Sequence, residues 1–396
     1  MSIPNIRLRA KHDRRIRSGH PWVFSNEIDG DIGDLPPGGT VDVCNAKGAF
    51  LGRGYANPKS LIAIRILSRR RDDVDHPAFW TQKIRSAVRY RAAALPDRTS
   101  MRLIHAEGDG LPGLVVDRYG DCLAVQLTTL GMECRKSLIA DALREVIAPT
   151  GAVLRSEGRS RQLEGLEDER ACWFGEPPEH VDIEEYGVAF RVPLLGGQKT
   201  GHFFDQAQNR HFAGPLCRGR TVLDVYANSG AWALHALANG AEHATTIDKS
   251  ENCCDRTEVN GSLNGVAERM EIIQGEGKRT LQWLVQQQRQ FGAVVLDPPA
   301  FAKTRKAVGS ALRGYGEINA LGLSLVEQGG FFFTSSCSYH IEEARFLDEI
   351  VKAAGRAQRR LRIVRRGEQA SDHPVNPSVP ESRYLKSYAF EVELRA

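Results

Sequence analysis

The chain has 396 residues, 8 cysteines and a formal charge of +4, a length that allows two or three domains with separate cores. The cysteines include no C-x-x-C pair, which argues against a zinc knuckle and against a disulfide framework. No signal peptide and no apolar run of about 20 residues is recognisable, so we expect a soluble, cytoplasmic protein.

Arginine is concentrated in a few segments rather than spread evenly. Residues 7–17, 69–71 and 356–366 are rich in it, and the last segment holds six arginines. Clusters of this kind indicate a polyanionic partner, whereas the plainer interpretation is a solvated charged face.

Residues 1–74 are expected to form a small β-barrel. Turn sequences such as Pro36–Gly39 and Asn57–Pro58 separate short apolar runs. A basic barrel with an exposed aromatic residue is a common design for binding RNA, but for Trp22 and Phe24 we favour a place in the barrel core over base stacking. The predicted strands are Trp22–Phe24, Thr40–Val43, Ala49–Leu51 and Leu61–Leu67.

Residues 75–186 change to a mixed pattern that predicts a small α+β domain. No acid–base or metal-binding constellation is recognisable there, so the domain is interpreted as a spacer or as a module that orients the substrate. The predicted elements are a helix at Phe79–Leu95, strands at Leu103–Ile104, Gly113–Asp117 and Cys122–Leu127, and a helix at Ser137–Ile147.

Residues 187–396 are expected to contain a parallel sheet with helices between its strands. Two final strands without a helix between them complete the sheet, which is the Rossmann-like layout of class I methyltransferases rather than that of dehydrogenases. The five predicted parallel strands are Thr221–Val225, Ala244–Ile247, Met270–Ile273, Ala293–Leu296 and Gly329–Thr334, the clearest helices are Ser310–Val326 and Ile341–Ala354, and the final strands are Leu361–Val364 and Tyr388–Leu394.

The stretch that follows the first parallel strand predicts a nucleotide site. A turn at Tyr226–Gly230 leads into a helix at Ala231–Ala238, and the second strand ends at Asp248, whose carboxylate can accept from both hydroxyls of a ribose. The turn contains a single glycine, whereas a dinucleotide pyrophosphate needs three. S-adenosylmethionine (SAM) is therefore favoured over NAD.

A second motif, DPPAF, begins at Asp297, directly after a predicted strand. Pro298 and Pro299 hold an extended elbow and remove two N–H donors. Enzymes that methylate exocyclic amines usually have an aromatic residue directly after the two prolines. Here that position is Ala300 and the aromatic residue is Phe301, which weakens the amine-methylating interpretation.

Cys337 distinguishes methylation of an exocyclic amine from methylation at carbon 5 of a pyrimidine. Carbon 5 of a pyrimidine is a poor nucleophile, and an enzyme can activate it by adding a thiolate to carbon 6. Cys337 follows a predicted strand, and its neighbours Ser335, Ser336 and Ser338 are polar groups that favour a thiolate. The other seven cysteines are interpreted as small buried hydrophobic residues: Cys44, Cys122, Cys134, Cys172, Cys217, Cys253 and Cys254.

Taken together, the motifs resemble those of the PUA-domain-containing cytosine-5 methyltransferases that act on bacterial large-subunit (23S) ribosomal RNA. GHPWVFSNEI and the segment from GGTVDVC to LIAIRIL resemble the PUA domain. The later motifs follow in the family's order and extend the resemblance over nearly the whole chain: HAEGDGLPGLVVDRYGD, QKTGHFFDQAQNR, LDVYANSGAWAL, LDPPAF, TSSCSYH and HPVNPSVPESRYLK.

The resemblance implies an N-terminal PUA-like RNA-binding domain, a central α+β domain and a C-terminal SAM-dependent methyltransferase domain. It implies Cys337 as the nucleophile and Asp297 at the polar edge of the base. Two positions depart from the family: Ala207 replaces an arginine, and Glu276 replaces an aspartate near the adenine. The expected cofactor-binding residues are Asp224, Tyr226, Asn228, Ser229, Gly230, Asp248, Lys249, Glu276 and Asp297.

We therefore expect a SAM-dependent, metal-independent enzyme that forms 5-methylcytosine in a loop or splayed base of ribosomal RNA. One alternative is an exocyclic-amine RNA methyltransferase, in which Cys337 is incidental. Another is a non-catalytic RNA-binding assembly factor, against which the intact Asp224, Asp248, Asp297 and Cys337 argue. The sequence leaves a monomer and a homodimer both open.

Overall fold

A computed structural model of the protein describes residues 3–196, 201–302 and 304–395. The chain divides into two compact units built from interleaved segments. Unit 1 comprises the chain up to Val181, Val192–His202 and Ser371–Ser382, and unit 2 comprises Asp182–Arg191, Phe203–Ala370 and the chain from Arg383 onward. Residues 198–200 of the motif QKTGHFFDQAQNR lie outside the described residues.

The first sheet of unit 1 is built from strands β1 (Asn5–Arg7), β2 (Trp22–Val23), β3 (Thr40–Cys44), β4 (Phe50–Ala56) and β5 (Ile64–Ser68), with the short helix α1 (Arg14–Arg17) after β1. The strands lie in the order β1-β3-β4-β5-β2. The indole N–H of Trp22 donates to the Glu107 carboxylate at 2.9 Å, and the Arg15 guanidinium lies 4.5 Å from the Phe24 ring centre. Both aromatic residues have partners within unit 1, but they are half-buried and lie outside the hydrophobic core of this sheet, so the prediction of a place in the barrel core is wrong for them.

The second sheet of unit 1 has the strand order β10-β9-β8-β7-β6. The predicted helices and strands of this region are confirmed to within a few residues, but β9 and β10 were not predicted. The elements are α2 (Pro77–Ala94), β6 (Met101–His105), β7 (Leu114–Tyr119), β8 (Cys122–Leu127), α3 (Leu130–Glu133), α4 (Lys136–Ile147), β9 (Gly151–Ser156), α5 (Arg159–Leu163) and β10 (Glu169–Gly175). Two further unpredicted strands, β11 (His180–Glu185) and β12 (Val188–Pro193), form a two-stranded sheet.

Unit 2 carries the seven-stranded sheet, whose elements are α6 (Ala207–Leu216), β13 (Thr221–Val225), α7 (Ala231–Ala238), β14 (His243–Asp248), α8 (Glu251–Leu263), β15 (Met270–Gln274), α9 (Gly277–Gln286), β16 (Phe291–Leu296), α10 (Val308–Ser324), β17 (Val326–Ser336), α11 (Glu343–Arg356), β18 (Arg359–Gly367) and β19 (Lys386–Leu394). No described helix of the protein is long and apolar enough to cross a membrane.

The strand order of this sheet is β15-β14-β13-β16-β17-β19-β18. The five strands from β15 to β17 pair in parallel, and β19 pairs antiparallel with both β17 and β18. The predicted layout of five parallel strands and a final pair is confirmed. Because β14 and β16 lie on opposite sides of β13, the chain changes direction across the sheet there. Ligands of open α/β sheets bind at such a point, beyond the carboxyl ends of the strands.

Candidate active site

The turn between β13 and α7 has an unusual backbone. Tyr226, Asn228 and Gly230 all have left-handed conformations, with φ of 67°, 55° and 72°. A Cβ atom at position 230 would lie 2.7 Å from Cγ2 of Thr257 on α8. Glycine is therefore required for two reasons, the φ angle and the close approach to α8.

Hydrogen bonds hold this turn in place. The side-chain amide oxygen of Asn228 accepts from Arg256 at 2.6 Å, and the carbonyl of Ser229 accepts from Asn260 at 3.1 Å. The N–H of Tyr226 donates to the Ile247 carbonyl on β14 at 2.9 Å. The turn is thus preorganised by groups on α8 and β14.

Asp224, on β13, is completely buried. Its Oδ2 accepts from the N–H of Ala233 at 3.2 Å, while Oδ1 has no hydrogen-bond partner among the described residues. Burial raises the pKa of this carboxyl to about 7. A buried carboxylate oxygen without a partner is costly, so this site favours a cationic ligand.

Asp248, the last residue of β14, has a carboxylate fixed by two backbone donors. Oδ2 accepts from the N–H of Asn228 and Oδ1 from the N–H of Ser250, each at 3.0 Å. A carboxylate has about four acceptor positions, so Asp248 keeps capacity for hydroxyl donors. Lys249 is exposed beside it.

Glu276 caps the helix that follows β15. Its carboxylate accepts from the N–H groups of Lys278 and Arg279, at 3.3 and 2.8 Å, and the residue is exposed. Next to it, Gly277 gives room to the ring of Tyr226, because a Cβ atom at 277 would lie 2.6 Å from that ring. Glu276 therefore has a structural role as a helix cap in addition to its expected place near an adenine.

Asp297 follows β16 and is held by two side chains. Its Oδ1 accepts from the Gln206 amide at 3.0 Å and its Oδ2 from the Trp232 indole at 3.2 Å. Burial raises the pKa of Asp297 to about 6, although both hydrogen bonds oppose that shift. The orientation of this carboxyl group is thus set by α7 and by the segment before α6.

Cys337 is the first residue after β17 and is half-buried. Its neighbour Ser338 is buried, and the Ser338 hydroxyl lies 3.2 Å from the Tyr315 hydroxyl and accepts from the N–H of Ala302 at 3.2 Å. The Ser338 carbonyl accepts from Lys386 at 2.7 Å. Groups on α10, on β19 and on the residue after the DPPAF motif therefore hold the Cys337 turn.

The other cysteines have less uniform surroundings than expected. Five are buried or half-buried: Cys44, Cys122, Cys217, Cys253 and Cys254. The prediction of burial is wrong for Cys134 and Cys172, which are exposed. Cys172 lies on β10, at the edge of its sheet, and Cys134 follows the single-turn helix α3.

The parallel sheet brings the expected residues to one edge. Asp248, Asp297 and Cys337 terminate or follow β14, β16 and β17, and Asp224 lies one residue before the end of β13. Leu296 pairs with Thr334, so Asp297 and Cys337 follow neighbouring strand ends. A carboxyl group with one unpaired oxygen (Asp224), a second buried carboxyl group (Asp297) and a thiol (Cys337) therefore lie along the C-terminal ends of adjacent strands.

Three side chains of the site were not identified from the sequence. Gln206 and Trp232 orient Asp297, and Lys386 contacts the turn that holds Cys337. The only sequence signal for Lys386 is a lysine at the start of the otherwise largely apolar run KSYAFEV. Gln206 lies in the motif FDQAQNR, which was recognised without a role for this residue, and nothing in the sequence distinguishes Trp232.

The sheet order, the single-glycine turn and the acids at the strand ends define a class I methyltransferase. Residues 101–390 match the family model of S-adenosylmethionine-dependent methyltransferases, and residues 6–69 match that of PUA-like domains. The chain therefore belongs to the SAM-dependent methyltransferase family, with a PUA-like domain at its N-terminus. This confirms the family resemblance and its fold.

Relatives match over nearly the full length. Ribosomal RNA large subunit methyltransferase I of Photobacterium profundum is 35% identical over 386 residues, covering 96% of this chain and 97% of its own. The Aliivibrio fischeri protein of that name is 34% identical over 392 residues, covering 98% and 99%. A SAM-dependent methyltransferase structure from Streptococcus mutans has a TM-score of 0.83 at 20% identity, covering 98% of this chain and 100% of its own. A methyltransferase in complex with SAH has a TM-score of 0.84 at 20% identity, covering 99% and 100%.

The residues of unit 2 fit the cofactor of this family. The methionine part of SAM carries an ammonium group, which suits the partnerless Oδ1 of Asp224. Its ribose carries two hydroxyls, which suit the remaining acceptor capacity of Asp248. The turn that precedes α7 is held against α8 at Gly230, where a Cβ atom would collide with Thr257.

Proposed function

We propose that the protein forms 5-methylcytosine in large-subunit ribosomal RNA through a covalent bond between Cys337 and the base. The observation that supports this reaction is the position of Cys337, half-buried directly after β17, next to the strand β16 that Asp297 follows. The names and full-length similarity of the relatives support the ribosomal substrate. They give no support to a homodimer.

The proposed reaction uses the side chains of Cys337 and Asp297. The Cys337 sulfur forms a bond to carbon 6, and the electron pair of the ring double bond becomes available at carbon 5. SAM supplies the methyl group to which carbon 5 bonds. The carbon 5 proton then leaves to a base, its electron pair restores the double bond, and the sulfur departs with the electrons of the S–C6 bond. Asp297, whose pKa is raised to about 6 by burial, can donate a proton toward the ring nitrogen edge as charge develops there.

The cofactor-binding assignments form part of the proposal. Asp224 and the turn of Tyr226, Asn228, Ser229 and Gly230 hold the methionine end, and Asp248 holds the ribose. Glu276 and Lys249, which follow the adjacent strands β15 and β14, border the adenine end. Support comes from the partnerless Oδ1 of Asp224 and from the two backbone donors that fix Asp248.

Unit 1 is proposed to bind the RNA. We assign residues 1–74 to the PUA-like RNA-binding domain, 75–186 to the central domain and 187–396 to the transferase domain. A cleft of about 340 Å³ in unit 1 is lined by Arg69, Arg70 and Lys83. Lys83 is half-buried and forms no salt bridge within the described part of the chain, and its pKa is lowered, chiefly by burial. Arg70 forms a salt bridge with Asp72, whereas Arg69 and Lys83 have no carboxylate partner within the described part of the chain and are available to phosphate groups.

Exocyclic-amine methylation remains the rival reaction. In this fold the ring of Phe301 packs on Tyr315, with ring centres 4.6 Å apart, and it contacts the hydrophobic core. This packing holds Phe301, which lies one position later than the usual aromatic residue of such motifs, against α10. It therefore disfavours a role for the Phe301 ring beside the base. The assembly-factor alternative predicts no cofactor binding, so a calorimetric titration with SAM separates it from both enzymes.

The deciding experiment uses RNA that carries 5-fluorocytosine at the target. Fluorine cannot leave as a proton does, so the bond from sulfur to carbon 6 should persist and give a band that survives denaturation. Cys337→Ala should abolish both the band and methyl transfer while it preserves SAM binding. Cys172→Ala, an exposed cysteine of unit 1, is the matched control and should behave as wild type. Near-normal activity of Cys337→Ala, with no band from either protein, would establish amine methylation instead.

A further inference from the structure

Lys386 is a buried lysine next to the turn that carries Cys337. It is the first residue of β19 and pairs with Ser336, the last residue of β17. Only 7% of its surface is exposed. Lysine side chains are almost never fully buried unless they are paired.

The contacts of Lys386 fix its amino group but do not neutralise it. Nζ donates to the carbonyl of Ser338 at 2.7 Å and to the carbonyl of Tyr384 at 2.8 Å. Within the described parts of the chain it forms no salt bridge. An ammonium group has three donors, so two of them serve the backbone and the third remains for another acceptor.

The position of Lys386 points to Cys337 as that acceptor, because Lys386 pairs with Ser336 and donates to the Ser338 carbonyl, the residues on either side of Cys337. Burial lowers the pKa of Lys386 to about 8, and a negative charge on Cys337 is the largest influence that opposes this shift. Arg383 lowers the same pKa and Glu343 raises it. Glu343 is already bound by Arg383 at 3.0 Å and by the Tyr388 hydroxyl at 2.9 Å. Of the acidic groups that act on Lys386, Cys337 is thus the one with the greatest effect.

We propose that Lys386 and Cys337 form an ion pair in which the lysine ammonium holds the cysteine as a thiolate before the base arrives. The neutral amine accepts the thiol proton, and the sulfur keeps the electron pair that later forms the bond to carbon 6. When the product leaves, that electron pair returns to the sulfur and the ion pair re-forms. Lys386 is therefore a positioning residue that acts through Cys337, and its role in catalysis rests on the function proposed above.

This arrangement would allow Cys337 to react near neutral pH. An ordinary thiol has a pKa of about 8.5, so only a few per cent of it is thiolate at pH 7. A fixed cation at the same turn increases that fraction. The third donor of the ammonium group also gives the thiolate a direction, since the two bonds to carbonyl groups hold Nζ in place.

The test measures the reactivity of Cys337 against pH in the full-length protein without RNA. Iodoacetamide alkylation of the Cys337 peptide is followed by mass spectrometry, and the exposed Cys134 and Cys172 are internal references in each sample. In wild type, the pH midpoint of Cys337 alkylation should lie at least about one pH unit below the midpoints of Cys134 and Cys172. In Lys386→Met the Cys337 midpoint should rise toward the ordinary thiol value, which slows alkylation of Cys337 at pH 7 by about tenfold.

Two further variants separate charge from packing. Lys386→Arg keeps the cation and should retain most of the lowered midpoint. Arg383→Gln removes a neighbouring cation that is paired with Glu343, and it should leave the Cys337 midpoint close to that of wild type. A structural lysine without influence on the thiol would give the same midpoint in wild type and in Lys386→Met, and that result overturns the proposal. SAM affinity, measured alongside, verifies that each variant is folded.

The outcome is independent of the reaction assignment. A shifted midpoint without any adduct on 5-fluorocytosine RNA would leave the ion pair standing and reject the cytosine-5 mechanism. An adduct with wild type, together with an unshifted midpoint in Lys386→Met, would reject the ion pair and leave the cytosine-5 mechanism standing.

Discussion

Asp224 has a buried carboxyl group, one oxygen of which has no hydrogen-bond partner among the described residues. Its folded-state pKa of about 7 exceeds the ordinary value of about 3.9. Between these two values the folded protein holds a proton that the unfolded chain has released. The free energy of unfolding must therefore fall as pH rises from about 4 through 7, by an amount on the order of a few kcal/mol.

Replacing Asp224 by Asn should remove this dependence. Without cofactor, Asp224→Asn should match wild type near pH 4 and be more stable than wild type at pH 8, by about 2 kcal/mol or more. SAM affinity should fall, because the charge that pairs with the ammonium group is lost. Urea unfolding at the two pH values, followed by calorimetry with SAM, measures both effects. The exposed Asp255 provides the control, Asp255→Asn. Equal stability of Asp224→Asn and wild type at pH 8 would contradict this account of Asp224.

The acids and the thiol of the site were predictable, while the residues that support them were not. Parallel strands place their carboxyl ends at one edge, so Asp248, Asp297 and Cys337 could be grouped from strand ends alone. Trp232 and Lys386 reach the site through the packing of α7 and the pairing of β19 with β17. That information lies in contacts between distant segments, and neither residue has a local pattern that reveals it.

At the scale of elements, predictability follows burial. The five parallel strands of unit 2 are mostly apolar, since a parallel sheet is covered on both faces, and all five were predicted. In β10 and β11, exposed and covered residues alternate, and β11 has the sequence HVDIEE. Charged residues on the exposed face conceal such strands from a prediction based on apolar runs. β9 is fully buried, but its sequence GAVLRS contains glycine and arginine.

The turn between β13 and α7 allows a controlled test of glycine. Gly230→Ala should destabilise unit 2 through both backbone strain and collision with Thr257, and it should weaken SAM binding. Gly265→Ala isolates the strain, because φ at 265 is 65° and no atom lies within 4 Å of the new Cβ. The control should cost about 1–2 kcal/mol, and Gly230→Ala should cost clearly more. Chemical unfolding measures both variants.

A second substitution tests the collision itself. Thr257→Ser removes the Cγ2 atom and keeps the hydroxyl that donates to the Cys253 carbonyl at 2.9 Å. The double variant Gly230→Ala with Thr257→Ser should recover part of the stability and affinity that Gly230→Ala removes. Strictly additive effects of the two substitutions would mean that Thr257 is not the obstacle.

For the whole molecule, the central question is where the RNA phosphates bind. Arg70 and Lys83 line the cleft in unit 1, and Arg89 lines an adjoining cavity along α2 that shares Gln82 and Ser86 with it. Replacing Arg70, Lys83 and Arg89 together by Gln should weaken single-stranded RNA binding. It should also reduce the slope of log affinity against log salt by about 0.7 for each phosphate that the variant no longer neutralises.

Lys47→Gln is the matched control, because Lys47 is an exposed lysine in a turn of the same unit. It should change neither the affinity nor the salt slope, and neither variant should alter SAM binding. An unchanged slope in the triple variant would show that the cleft only packs unit 1. Point substitutions are preferable to removing residues 1–73, since Glu107 and Lys83 share this cleft with residues from the first sheet.

The interleaving of the two units has a consequence for inheritance. The chain alternates between them in six segments and so crosses from one to the other five times. The last excursion, Ser371–Ser382, interrupts the connection between β18 and β19, four residues before Lys386. A single recombination event can exchange a domain that is continuous in sequence, but here it would join incomplete halves of both units. The two units are therefore expected to be inherited together rather than shuffled separately among enzymes.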